Sequence, residues 1–304
     1  MKTRPSTMLS TRREETRAYW LFVLPGFLIF FSVMAFPTVF SFFLSLSNYS
    51  GGKLWGGPKK VSLVGFDAYV TMFKDKYFWL ALENNIYIVL ISVFGQIPLG
   101  FIMAYMLFRG MLKGRDFFQT VIYLPCVIST VVIGALWSAF TSPNGALPSL
   151  IRLFNPAYEV QVSANPMIKV LLVILWMYTG TYLIIFMANL QKIDVSVIEA
   201  SKIDGASEMQ ALRYIILPAL SGVIVVSSIL AISGSLKSFD LIFVMTNGGP
   251  AGRTRVLALY MYENAFKGAP KYPLANAISM VMVIISFLLI GITKAVEKRF
   301  GGRE

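Results

Sequence analysis

Charged side chains fall in clusters along this sequence, and six stretches between the clusters contain no Asp, Glu, Lys or Arg. They run 18–52, 84–108, 117–151, 170–191, 214–236 and 272–293, each 22 to 35 residues long. An α-helix needs roughly 20 apolar residues to cross the hydrocarbon core of a bilayer. Every stretch reaches that length and is rich in Leu, Ile, Val, Phe and Met. The pattern therefore predicts an all-α integral membrane protein with six transmembrane helices. Helices that are apolar all round belong in membranes, because a soluble domain needs polar faces between them. The first run, Ala18–Leu46, follows Lys2, Arg4, Arg12, Arg13 and Arg17 and could imitate a signal peptide. It is too long for a signal h-region and shows no small-residue cleavage site, so it reads as an uncleaved first helix.

Lys and Arg set orientation. With the N-terminus inside, the inside segments 1–18, 109–116, 191–214 and 294–304 carry 15 basic residues. The outside segments 47–80, 142–167 and 247–273 carry 10 over a longer stretch. The bias puts both termini in the cytoplasm. The expected organisation is a cytoplasmic segment 1–18, then a first helix and extracytoplasmic segment over 19–80. A core of five helices follows over 81–296, with a long inside loop at 191–218 and a tail at 297–304.

Composition narrows the chemistry. Of 304 residues, 56% are hydrophobic and 14% charged, which excludes a disordered chain and a coiled coil and leaves too little charge to solvate an enzyme surface. There is no His and one Cys, Cys126. An intrachain disulfide and His-based acid–base catalysis are excluded, and a zinc site would have to be all carboxylate. No catalytic and no metal-ligating residues are expected. The net charge of +12 is mostly the topology signal; no solvated basic face suggests nucleic acid as a partner.

The connecting segments carry ordinary turn chemistry: Ser50-Gly51-Gly52, Gly56-Gly57-Pro58 and Asn247-Gly248-Gly249-Pro250. Apolar residues at 66, 69, 70 and 73 predict a short amphipathic helix outside, with Tyr77 and Trp79 at an interfacial belt. Segment 142–167 is broken by Pro143, Pro148, Pro156 and Pro166 and has room for one short helix. The inside loop 191–218 differs. Its apolar positions follow a helical stripe on each side of Gly205. This predicts two short helices about a sharp Asp204-Gly205 turn, with Ser207 capping the second and Pro218 in the first turn of the fifth membrane helix. By pattern alone such a loop is either a knob for a cytoplasmic partner or a plain interfacial loop.

At this loop the sequence resembles the EAA loop of bacterial ABC-importer permeases. Glu199-Ala200-Ser201, three residues, Gly205, nine residues and Ile215-Ile216-Leu217-Pro218 match its pattern E-A-A, three, G, nine, I-x-L-P. Ser201 stands for the second Ala. Ile203-Asp204-Gly205-Ala206-Ser207 resembles the carbohydrate-uptake branch. The likeness extends through Leu24-Pro25, Phe36-Pro37, Val64-Gly65-Phe66-Asp67-Ala68-Tyr69, Lys113-Gly114-Arg115, Leu124-Pro125 and Thr246-Asn247-Gly248-Gly249-Pro250. Asp67-Ala68 and Asn247 depart from the usual residues. The chain is thus identified as similar to maltose-type, binding-protein-dependent sugar permeases, with an ABC-importer type I permease-like fold in the bacterial inner membrane.

The resemblance implies partners and roles. The partners are two cytoplasmic ATPase subunits, a second, homologous permease, an extracytoplasmic sugar-binding protein and the lipid bilayer. ATP and Mg would sit on the ATPase chains, and no cofactor on this one, which has no G-x-x-x-x-G-K-[ST] loop. Glu199, Ala200, Ser201, Asp204, Gly205 and Ala206 would meet the ATPase. Ile215, Leu217 and Pro218 would fix the loop to the fifth helix.

Polar groups at membrane depth are costly and usually face a bundle interior. Asn84, Asn85, Gln96, Trp176, Tyr178, Thr179, Thr181, Tyr182, Ser227, Ser228, Ser233, Ser235, Asn276 and Ser279 are therefore candidates for a substrate pathway. Rings beside neutral hydrogen-bonding groups suit a sugar, although such residues also serve helix packing. Lys237 and Asp240, three apart, would pair on a continuing helix near the gate. Pro98 and Pro125 lie inside apolar windows, and each would kink its helix or open its hydrogen-bond ladder. A phosphorylated polyol such as glycerol phosphate is the alternative cargo. An ion-coupled secondary transporter is disfavoured by the lack of carboxylates in the six windows, and a membrane enzyme by the lack of a catalytic constellation.

Overall fold

In the computed structural model the described residues are 6–53, 61–155 and 166–300. The Gly56-Gly57-Pro58 turn and Pro156 lie outside them. The described chain is helical, with one isolated bridge between Ser47 and Leu63 and no strand. Its helices are α1 Ser6–Phe30, α2 Phe36–Ser45, α3 Asp67–Lys74, α4 Lys76–Ile91, α5 Ile97–Phe108, α6 Arg115–Val127, α7 Thr130–Phe140 and α8 Ala146–Phe154. They continue with α9 Pro166–Leu190, α10 Val195–Ile203, α11 Glu208–Ala211, α12 Leu217–Ala219, α13 Ser221–Leu236, α14 Asp240–Thr246, α15 Leu257–Phe266 and α16 Tyr272–Phe300. The amphipathic stretch after residue 66 is α3, as expected.

Among the described residues, four helices are long and apolar enough to cross a membrane: Glu15–Ser45, Lys76–Phe108, Pro166–Leu190 and Tyr272–Lys298. Six are reached if two bent pairs each count as one span. The window 117–151, expected as one helix, is instead α6 and α7 crossing at 95°. Pro125 stays inside α6, and the chain turns three residues later, where Ile128 and Ser129 take extended ψ angles of 142° and 131°. The fifth window is also broken. Pro218 does not open a straight fifth helix; it lies before a 65° bend at Leu220, and α13 begins at Ser221.

Three prolines share one device. Pro37, Pro98 and Pro218 each follow a π-helical turn: Phe31–Ala35, Ser92–Gln96 and Leu212–Ile216. In each case the residue before proline donates its N–H five residues back, Phe36 to Phe31, Ile97 to Ser92 and Leu217 to Leu212. A proline ring collides with the carbonyl four residues earlier in a regular helix. A widened turn moves that carbonyl aside, so at Pro98 the hydrogen-bond ladder opens and the helix continues.

The centre of the bundle is α9, where Val170, Leu183, Phe186 and Leu190 are fully buried. Without a hydrophobic drive between helices in lipid, close packing of small residues holds them together. A Cβ on Gly180 would lie 2.4 Å from the carbonyl oxygen of Ile122 on α6, and one on Gly100 of α5 2.6 Å from Tyr182 Cβ. These glycines set how closely α6 and α5 approach α9. The first span is different: its most apolar window buries nothing inside the chain. It meets α16, where Ser41 Oγ donates to Asn276 Oδ1 at 2.5 Å.

Two asparagines hold the segment before α15. Asn84 Nδ2 donates to the carbonyls of Arg253 and Arg255 at 3.0 and 2.8 Å. Asn85 accepts from Leu257 N at 2.8 Å and donates to Ser235 O at 3.0 Å. Replacing Asn85 with leucine leaves a buried Leu257 N–H without its acceptor, a loss of about 2 kcal/mol. A lowered heat-denaturation midpoint in detergent is the expected result; an unchanged midpoint would contradict this role.

Candidate functional site

The chain builds two linked features, a partly enclosed cavity and an exposed loop at one end of the bundle. The cavity is about 390 Å³ and is lined from four sides. The π-turn after α4 supplies Ser92 and Gln96; α9 supplies Tyr178, Thr181 and Tyr182; α13 supplies Gly234 and Ser235. Thr130 opens α7, and the broken stretch after α13 adds Lys237, Ser238, Phe239 and Asp240. Three of these groups sit at interruptions in helices, where side chains and backbone can turn into the space.

Hydrogen bonds fix the wall. Gln96 Nε2 donates to Ile174 O at 2.8 Å, tying the π-turn to α9. Ser235 Oγ lies 2.7 Å from Ala231 O and 3.1 Å from Ser92 Oγ, tying α13 to the same turn. Ile88, Ile174, Leu230, Ala231 and Leu241 make much of the lining apolar; set into it are rings, hydroxyls, one amide, a cation and a carboxylate, a set able to stack on and hydrogen-bond an organic molecule.

Of the candidates, Gln96, Tyr178, Thr181, Tyr182 and Ser235 line this cavity, and others do not. Asn85 and Asn276 hold helices together, as described above. Trp176 is half exposed and stacks edge-on with Trp137 at 5.6 Å. Ser233 is partly buried and is not among the residues lining this space. Thr179 and Ser228 bond back to carbonyls of their own helices.

The expected Lys237–Asp240 ion pair is not formed among the described residues. It required a continuing helix. Instead α13 stops at Leu236, and Phe239 leaves helical geometry at φ −125° and ψ −57°. The two residues no longer share a helix face, and both line the cavity. Ser92, Thr130, Ser238 and Phe239 were missed by sequence reasoning. The usable signal was a Ser, Thr or charge beside a break in an apolar run.

The exposed loop is made of α10, a turn and α11. Asp194 caps α10 by accepting from Ser196 N at 2.9 Å, and that backbone bond holds its carboxyl below the usual value. Gly205 turns the chain at φ +85°, where a Cβ would meet nothing within 4 Å. Ser207 and Gln210 form a reciprocal capping box at the start of α11, as Ser207 was expected to do.

Around the turn, Glu199, Ala200, Asp204 and Gly205 are exposed, and Ser201 Oγ donates to Ile198 O. Ile203 and Met209 are 87% and 68% exposed. The loop's root is buried: Ile198, Ala211, Ile216 and Leu220 are at most 2% exposed. The inner anchor is thus Ile216, while Ile215 and Leu217 are partly buried and Pro218 is exposed. Glu208, first residue of α11, pairs with Arg109 at the end of α5 and with Lys202 of α10, the latter at 2.8 Å.

Comparisons with known proteins agree in kind. The family described as binding-protein-dependent transport system inner membrane component matches residues 96–302. A lactose transport system permease of Rhizobium radiobacter is 30% identical over 293 residues, covering 93% of this chain and 96% of that one. A multiple sugar-binding transport system permease of Streptococcus mutans is 29% identical over 291 residues, covering 94% and 97%. The fold is that of a chain in the crystal structure of a bacterial ABC transporter involved in import of the acidic polysaccharide alginate. Its TM-score is 0.79 at 20% identity, covering 97% of this chain and all of that one.

Proposed function

Because the chain belongs to the binding-protein-dependent transport system inner membrane components, a non-catalytic class of membrane subunit, we propose that it forms half of the translocation path of an ATP-driven sugar importer. In this reading it crosses the inner membrane six times, counting each bent pair once, with both termini in the cytoplasm. Its partners are a second, homologous permease, two ATPase subunits that carry ATP and Mg, and a sugar-loaded binding protein outside. The observation that carries the proposal is one continuous path. The exposed loop at Gly205 runs through α11 and α12 into the bent helix α13, and α13 ends on the cavity.

The mechanism follows from that path. Closure of the ATPase subunits moves the loop held between them. Glu199 faces a basic group there, Ala200, Ser201 and Ala206 keep the contact close, and Gly205 sets the turn. Buried Ile216 and Leu220 pass the displacement to α13. The cavity wall then rocks between inward-open and outward-open arrangements. A neutral sugar suits the wall: Tyr178 and Tyr182 offer rings, Gln96, Thr181 and Ser235 offer hydrogen bonds, and Lys237 with Asp240 supply both signs of charge. A dianionic phosphorylated polyol would meet the Asp240 carboxylate in the same space. The relatives named for lactose and multiple sugars support the sugar reading.

The test is reconstitution of this chain with its neighbouring permease, ATPase and binding protein in proteoliposomes. ATP hydrolysis stimulated by a sugar-loaded binding protein, with uptake of that sugar, is the expected result. Uptake driven by a sodium or proton gradient without ATP would overturn the reading. Replacing Tyr178 with alanine removes one ring from the wall, and uptake should fall roughly tenfold, the loss of one aromatic contact. The binding protein's own affinity should not move. Full uptake by the variant would place the sugar elsewhere.

A further inference from the structure

Glu208 is the one acidic residue of α11, and it joins three elements at once. Its carboxylate contacts Arg109, which caps the C-terminal end of α5, and Lys202, in the last turn of α10. The Tyr105 hydroxyl of α5 also lies 3.5 Å from it. An isolated exposed ion pair contributes little. This one differs in two ways: the Arg109 side chain is only 16% exposed, and one carboxylate serves two cations from different helices. Losing Glu208 leaves a partly buried Arg109 without this counter-charge.

The position of the contact matters more than its strength. The loop reaches the cavity through the chain itself, by way of Leu220 and α13. Glu208–Arg109 makes a second route, into α5. That helix is continuous with the π-turn that places Ser92 and Gln96 on the cavity wall. The two routes meet again there, where Ser235 of α13 touches Ser92. Two rods fastened at both ends move together; fastened at one end, they can shear.

We propose that Glu208, through Arg109, is a positioning residue that makes α5 follow the loop, so that displacement of the loop moves both sides of the cavity wall. This rests on the coupling role proposed above for the loop. The contact transmits motion and touches neither cargo nor nucleotide.

The experiment is a double-mutant cycle in the reconstituted transporter, reading sugar taken up per ATP hydrolysed. Glu208→Gln and Arg109→Gln should each lower that ratio about tenfold, the size of a typical coupling between sites. The double variant should be no worse than either single one, because both remove one contact. Arg109→Lys, which keeps the charge, should retain most of the ratio, and co-purification of all subunits reports assembly separately. Effects of the two single variants that multiply, or a ratio unchanged in both, would overturn the proposal. If Arg109→Lys and both glutamine variants all fail to assemble, the contact is purely structural and the proposal also fails. Gly205→Asp separates the two ideas. If it abolishes coupled uptake while Glu208→Gln does not, only this inference falls; if Gly205→Asp changes nothing, the loop reading itself falls.

Discussion

Gly180→Leu should yield little or no folded protein. A Cβ at this position would sit 2.4 Å from Ile122 O and 2.8 Å from Tyr123 Cα, and both are backbone atoms of α6. No side-chain rotation can clear them, so α6 and α9 must separate. Overpacking of this kind costs about 3 kcal/mol or more. The damage is also local to function, since Tyr178, Thr181 and Tyr182 on the same turns of α9 line the cavity. Gly222 is the control, because a Cβ there meets nothing within 4 Å. Gly222→Ala in α13 should be neutral or stabilise by up to about 1 kcal/mol through helix propensity. Size-exclusion profiles and heat-denaturation midpoints of both variants, side by side, check this. A monodisperse Gly180→Leu protein with an unshifted midpoint would mean that α6 and α9 do not pack as described.

Gly205→Asp should give the opposite outcome: a well-folded chain that does not transport. Space is open around Gly205, so the cost is only the left-handed backbone at φ +85°, about 1 kcal/mol. That is small for a bundle of this size. The new carboxylate, however, stands at the exposed tip beside Asp204, on the surface proposed to enter the ATPase. Binding-protein-stimulated hydrolysis and uptake should both drop at least roughly tenfold, with subunits still co-purifying. Gly205→Ala, which adds strain without charge, should fall between. Full stimulated activity in Gly205→Asp would remove this loop from the coupling path.

The sequence announces what depends on composition and local chemistry. Long charge-free windows locate the apolar helices, because charge cannot enter lipid cheaply. The two-helix loop is legible because each end carries its own instruction: Asp194 and Ser207 cap, Gly205 turns. What escapes is whatever depends on neighbours distant in the chain. Pro125 signals an irregularity within 117–151, but nothing local says that the chain swings through 95° after Val127. Polarity at membrane depth finds Gln96 and Ser235 but cannot separate them from Asn85, whose amide holds Leu257 and Ser235 from 172 and 150 positions away. The Lys237–Asp240 pair failed for a related reason. Its premise was an unbroken helix, and the helix ends at Leu236.

The widened turns before Pro37, Pro98 and Pro218 alter how this chain must be aligned. Each inserts about one residue into the helical count, and one residue is a rotation of roughly 100°. A helical wheel drawn from Lys76 straight through to Phe108 therefore puts the lower half on the wrong side. Asn84, Asn85 and Ser92 belong to one phase; Gly100, Ala104 and Leu107 belong to another. For the same reason, a single deletion within Ser92–Gln96 should keep both halves in phase, because it closes the widened turn to a regular one; its cost is the room that turn makes for Pro98. A single deletion elsewhere in Lys76–Phe108 has no such slack and would turn half the helix by roughly 100° away from its neighbours.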